Sequence, residues 1–193
     1  MAADESMLLP HDAGSVLLPI ARAAIAAELG RDSGAATDAA WLRESGACFI
    51  TLMQQDRLRG CIGTLRAHRA LVEDVRQNAI AAAFRDPRFT PLTAIELEAI
   101  SVEVSVLSPM APLAFMSERD ALDQLRPGVD GLAFEYGRHA STFLPQVWEM
   151  FADPAEFMAH LKYKAGLPPD FWDGEVRLYR YSVTKWRDTD NGG

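Results

Sequence analysis

The sequence predicts an α+β fold: antiparallel sheets with flanking helices. Three observations carry that reading. Residues 101–107 alternate Val102, Val104 and Val106 with Ser101, Glu103 and Ser105, the period-two pattern of an antiparallel strand with one buried face. Apolar residues recur at helical spacing over 16–29 and again over 69–85. Helices and strands then follow one another without a steady β-α-β rhythm, which disfavours a doubly wound parallel sheet.

Taken in order, the first helix covers residues 16–29. Leu17, Ile20, Ala21, Ala24 and Ile25 give it one apolar face, Pro19 lies near its start, and Gly30 follows as a C′ residue. Residues 31–40 are a polar connection. Residues 47–53, ACFITLM, read as a short and mostly buried strand, and QQDR offers a turn into a second strand over 58–64. The pair makes a hairpin whose register the turn leaves open, because it lacks an Asn-Gly signal. The second helix covers 69–85, with Val72, Val75, Ala79 and Ala82 at helical spacing. Asp86-Pro87 ends it, since the residue before proline avoids helical backbone.

Thr93-x-x-Glu96 has the form of a capping box and opens a short helical turn. Ser117-x-x-Asp120 caps another short helix, which stops before Pro127-Gly128. Residues 131–137 and 141–144 form a second hairpin. Asp153-Pro154-x-Glu156 opens the last helix with a cap residue, a proline at N1 and an acid at N3. Gly166 and Pro168-Pro169 close it. Residues 176–183, rich in Tyr and Val, are the final strand. No repeat, linker or low-complexity segment interrupts the chain.

The bulk properties bound the function. At 193 residues, with 49% apolar and 24% charged residues, the chain suits one domain with a sizeable core, or a main domain with a smaller lobe. The formal net charge of −8 argues against a general nucleic-acid binder, which needs cations to neutralise phosphates. No apolar run approaches the ~20 residues of a membrane span. The start of the sequence has Asp4 and Glu5 and lacks the basic-then-apolar pattern of a secretory signal. Two cysteines do not make a disulfide framework. The chain reads as a cytoplasmic protein with reduced thiols. Residues 1–7 and 188–193 read as loose tails around a single domain over 8–187.

Few signatures of chemistry are present. There is no phosphate-binding glycine loop, no H-E-x-x-H and no G-x-S-x-G. The four histidines, His11, His68, His139 and His160, have no second ligand at metal spacing, so no metal and no cofactor are expected. One stretch stands out: LRGCIG, residues 58–63, a strand in which Gly60 and Gly63 bracket Cys61. Glycine weakens a strand, and its usual reason for being there is close approach of another group to the backbone.

Cys61 has two readings. It is a small buried hydrophobe, or it is a nucleophile whose thiolate is favoured by Arg59, Arg66 and a nearby helix start. Cys48 lies in an apolar strand, where the first reading is stronger. Arg57, Arg59, Arg66 and Arg69 make a local basic stretch followed by Arg85 and Arg88. They form an anion site, since arginine binds carboxylate and phosphate bidentately, or they pair with surface acids. RDPRF, residues 85–89, combines a helix stop with two arginines, an acid and an aromatic. Asp130 in GVDGLAF reads as a structural turn residue. Lys162 and Lys164 near a helix C-terminus are explained by the macrodipole.

LRGCIG is the hallmark hexapeptide of the AMMECR-type domain family, and most of the chain resembles that family. RDPRF (85–89), VEVSVLSP (102–109), GVDGL (128–132), FLPQVW (143–148), KAGLPPDFW (164–172) and YRYSV (179–183) follow in the family's order. The resemblance implies a larger lobe containing both termini, a smaller lobe, an antiparallel sheet in each, and a cleft between them that the hexapeptide faces. It implies ligand-binding roles for Leu58, Arg59, Gly60, Ile62, Gly63, Asp86 and Arg88. It also implies partnership with a Memo-like protein and a radical-SAM protein, as component A of the AmmeMemoRadiSam system. The favoured reading is a component that binds a small anionic ligand or a peptide. The alternative is an enzyme with Cys61 as thiol nucleophile on an anionic substrate, although no histidine belongs to a family motif to serve as its base.

Overall fold

The computed structural model describes residues 9–188. The chain divides into two compact units: one gathers the residues up to Pro109 and those from Thr184 onward, the other holds Met110–Val183. Each has its own antiparallel sheet and its own core. The α+β expectation holds.

The first unit begins with α1, Gly14–Glu28. It ends as predicted at Gly30, whose φ of +72° is the left-handed conformation that a glycine adopts without strain. The Gly30 N–H reaches Ala27 O and the Arg31 N–H reaches Ala26 O, the paired bonds of a Schellman cap. The strands β1, Ser45–Gln54, and β2, Arg57–Gly63, form the predicted hairpin. Gln55 and Asp56 form its two-residue turn, both with positive φ, so a primed turn is made here without glycine.

The two-residue strand β3, Arg69–Ala70, pairs with the start of β1, and α2, Leu71–Phe84, follows at once. The helix therefore starts two residues later than its periodicity suggests. The strand β4, Ile100–Leu107, pairs with β1. Cys48, Ile50 and Leu52 of β1 stand opposite Val106, Val104 and Val102, and all six are buried. A slip of one residue would turn this whole set to the other face, so burial fixes the register that the turn left open. α1 and α2 cover that face with Leu17, Ile20, Ile25, Val75 and Ala79.

The second unit contains β5, Ala111–Leu113; α3, Glu118–Asp123; β6, Gly131–Tyr136; β7, His139–Phe143; α4, Pro154–Lys164; and β8, Arg177–Tyr181. Its sheet order is β5-β8-β6-β7. Ser117 caps α3 and Asp153 caps α4, both as predicted. Trp148 stacks on Phe157 with centroids 3.8 Å apart, and its indole N–H donates to Asp130 O. Lys162 departs from the macrodipole explanation. It is buried, and its ammonium is 2.7 Å from Glu118.

The predicted final strand over 176–183 is two strands. Ser182 separates β8 from β9, Val183–Arg187, which joins the sheet of the first unit beside β4. The residue after β9, Asp188, was expected in a tail. It is anchored instead: its carboxylate takes Arg22 Nε at 2.5 Å and the Val102 N–H at 2.7 Å. The remaining tail residues lie outside the described ones. No helix among the described residues is long and apolar enough to cross a membrane.

Candidate functional site

The hexapeptide forms most of β2, the edge strand of its sheet. Its two glycines answer to close approach within this unit. A Cβ on Gly60 would lie 2.1 Å from the carbonyl oxygen of Ala82, so α2 rests directly on the strand backbone. A Cβ on Gly63 would lie 2.2 Å from the Phe49 ring. Ile62 packs against the core, while Leu58 is 40% exposed. The register shifts between Leu52 and Met53: Leu52 faces Gly60 and Met53 faces Leu58, which leaves Arg59 as the extra residue of a bulge.

An edge strand presents unpaired backbone groups. At Cys61 they are taken by side chains of the 85–89 motif. The Cys61 N–H donates to Asp86 Oδ2 at 2.9 Å, and Arg88 Nη2 donates to Cys61 O at 3.1 Å. Arg88 also holds Asp86 through Nε and Nη2, and its own backbone N–H adds a third bond. The ion pair thus imitates a neighbouring strand. The Arg88 guanidinium, with the Cys61 and Arg88 N–H groups, holds the buried Asp86 carboxyl well below the usual carboxylate range. The Cys61 thiol is half-buried, and the Thr51 hydroxyl donates to its sulfur at 3.4 Å.

Arg59 is buried. Its Nε donates to Glu96 Oε1 at 2.9 Å and its Nη2 to Thr90 O at 2.9 Å, while Nη1 is buried with no hydrogen-bond partner among the described residues. Glu96 also receives the Thr93 N–H and hydroxyl, so the predicted capping box is formed. Arg59, then Thr93, hold the Glu96 carboxyl down at about 2. The guanidinium carbons of Arg59 and Arg88 lie 5.9 and 5.5 Å from the centroid of Phe89. Arginines 59, 69 and 88 of the basic stretch are therefore paired with acids, and Arg57, Arg66 and Arg85 are exposed.

The sequence reading missed a second cluster around Cys48. Asp74 of α2 is fully buried and accepts the Cys48 N–H at 2.8 Å, the Thr64 hydroxyl at 2.8 Å and Arg69 Nε at 2.7 Å. Asn78, one turn later, donates to Cys48 O at 3.0 Å. Burial, and then the Asp74 charge, push the Cys48 thiol well up. The available signal was a polar pair at i and i+4, Asp74 and Asn78, on the buried face of α2.

The histidines stand apart from these clusters. His11 and His68 are exposed, His139 bonds to Ala165 O, and His160 stacks on Phe151. Among the described residues no group of three or more His, Cys, Asp or Glu could hold a metal ion.

The AMMECR1 family model matches residues 18–186, nearly the whole of the described chain. The chain belongs to the AMMECR1 family. A protein of Methanothermobacter thermautotrophicus is 42% identical over 180 residues, covering 91% of this chain and 94% of that one. Protein MJ0810 of Methanocaldococcus jannaschii is 40% identical over 154 residues, covering 78% and 77%. The crystal structure of the uncharacterized protein PH0010 from Pyrococcus horikoshii superposes with a TM-score of 0.79 at 33% identity, over 93% of both chains.

In this AMMECR1 chain the motifs of the second unit serve packing. Gly131 faces Tyr181 across β6 and β8, and a Cβ there would meet the Tyr181 ring at 2.4 Å. The Tyr181 hydroxyl donates to Phe143 O at 3.0 Å, and burial pushes its pKa up to about 12. Asp130 is fully buried, bonded to the Arg126 N–H and guanidinium, which makes it the structural turn residue that was expected. Gly166 takes a φ of +80° at the end of α4, as a Schellman glycine does.

Proposed function

We propose that this AMMECR1 protein is a binding component, and that β2 with the 85–96 segment recognises a hydrogen-bond-accepting group on an anionic ligand or a peptide. One observation carries the reading: Arg59 Nη1 is a buried cationic donor with no acceptor among the described residues. An unsatisfied buried donor costs on the order of 1–3 kcal/mol, and a ligand oxygen would remove that cost. Leu58, the preceding residue, is exposed, and the half-exposed Arg88 shares the Phe89 ring with Arg59.

The nucleophile alternative lacks a base. The Cys61 sulfur bonds to a threonine hydroxyl, and the neighbouring Asp86 is ionised and already holds Arg88 and the Cys61 N–H. The family resemblance supplies Memo-like and radical-SAM proteins as the first partners to try.

The test is thermal stabilisation by acetate, citrate and inorganic phosphate, wild type against Arg59→Lys, which keeps the charge and loses the fork. A dose-dependent rise in Tm confined to the wild type supports the site. Equal responses in both proteins, or none, would remove Arg59 from ligand recognition. Cys61→Ser should bind as the wild type does.

A further inference from the structure

A cavity of about 510 Å³ opens beside α1 in the first unit, lined by none of the hexapeptide residues. That volume lies within the roughly 300–1,000 Å³ of small-molecule sites. Its floor is apolar: Leu18, Pro19, Ala23 and Ala26 of α1, with Leu97. Two arginines stand in the wall, and both are engaged. Arg22 donates through Nε to Asp188, through Nη1 to Leu97 O and through Nη2 to Ile100 O. Arg31 donates to Glu98 and, at 3.1 Å, to Ala94 O. The Ser33 hydroxyl donates to Ala23 O at 3.3 Å.

The acids differ. Asp188 is taken on both oxygens, by Arg22 and by the Val102 N–H. Arg31 takes one oxygen of Glu98. The exposed Asp32 carboxylate stands at the cavity rim, solvated, with no hydrogen bond or ion pair to any described residue. The wall thus holds two arginines against three carboxylates, Asp32, Glu98 and Asp188, and its unpartnered charge is an acceptor. The chain's net charge of −8 favours approach of cations to it.

We propose that this cavity binds a small organic cation, with an apolar body on the α1 floor and an ammonium or amidinium group on Asp32. A carboxylate can only accept, so the ligand must donate. The site is independent of the hexapeptide and stands whether or not Arg59 binds a ligand.

The experiment is an NMR titration of the full chain in low salt with benzylamine, and with benzyl alcohol and phenylacetate as neutral and anionic counterparts. Benzylamine is expected to shift the Ala23, Ala26 and Asp32 amides saturably and to bind tightest of the three. Asp32→Asn should weaken it about threefold, the scale of one solvent-exposed ion pair. Ala23→Leu fills the floor and should abolish the shifts, while the same spectra report whether the variant is folded. Preference for phenylacetate, equal binding of all three, or no saturable shift would each overturn the proposal.

Discussion

Cys48 and Cys61 sit on neighbouring strands, and the chain holds both in the same way. Each backbone N–H donates to a buried aspartate, Asp74 or Asp86. Each aspartate is held by an arginine, Arg69 or Arg88. Each carbonyl receives a side-chain donor, Asn78 or Arg88. The difference lies in what surrounds the clamp. Asp74 is closed in by Thr64 and Asn78, and its cysteine is fully buried. Asp86 relies on Arg88, whose side chain is 54% exposed, and its cysteine is half-buried. The same device therefore makes a sealed core joint in one place and a firm edge with a reachable surface in the other.

Thiol alkylation gives the widest expected contrast. Cys48 can react only when the core opens, so Cys61 should label about 1,000-fold faster in native protein, read by mass spectrometry. Similar rates would mean that the Cys48 joint is not sealed. Next in size is the aspartate pair. Asp74→Ala strands the buried Cys48 N–H and releases the half-buried Arg69 and Thr64, and should cost about 3 kcal/mol in urea denaturation. Asp86→Ala should cost about 2 kcal/mol, because water can solvate the released Arg88. Equal losses would break the distinction between the two clamps. Gly60→Ala, which pushes a methyl into the Ala82 carbonyl, should cost about 2 kcal/mol without changing Cys61 labelling order.

The smallest effect is in pH. The Glu96 carboxyl is held down at about 2 from an ordinary 4.5. Its contribution is therefore present in full above pH 4.5 and is lost as pH falls towards 2. Wild type should exceed Glu96→Gln by about 1 kcal/mol at pH 7, and denaturation curves should converge near pH 2. A gap that persists at low pH would place the effect in packing, not in the Arg59 pair.

Elements whose burial repeats with the backbone period were legible: α1, α2, β1, β4 and α4 were all found from pattern and caps. The shortest strands were not. β3 and β5 have two and three residues, too few for alternation to show. The split at Ser182 was hidden because Tyr and Val continue on both sides of it, and the choice of sheet is made by distant partners. At the site, the glycines announced close approach, but their partners, Ala82 O and the Phe49 ring, belong to register and helix placement. Gly60 and Asp86, to which the family resemblance gives binding roles, both serve the packing of β2. Lys162 was misread because its acid partner, Glu118, lies 44 residues away.

The division at Ser182 also bears on which unit carries the cost of closing a long loop. Residues 110–183 form one continuous stretch, whereas the other unit joins the residues up to Pro109 to those from Thr184 onward. Setting β9 beside β4, and the Trp186 ring over Gly14, closes a loop as long as that whole stretch. The entropy of that closure falls on the unit that opens the sequence and is smaller when the intervening residues are already folded.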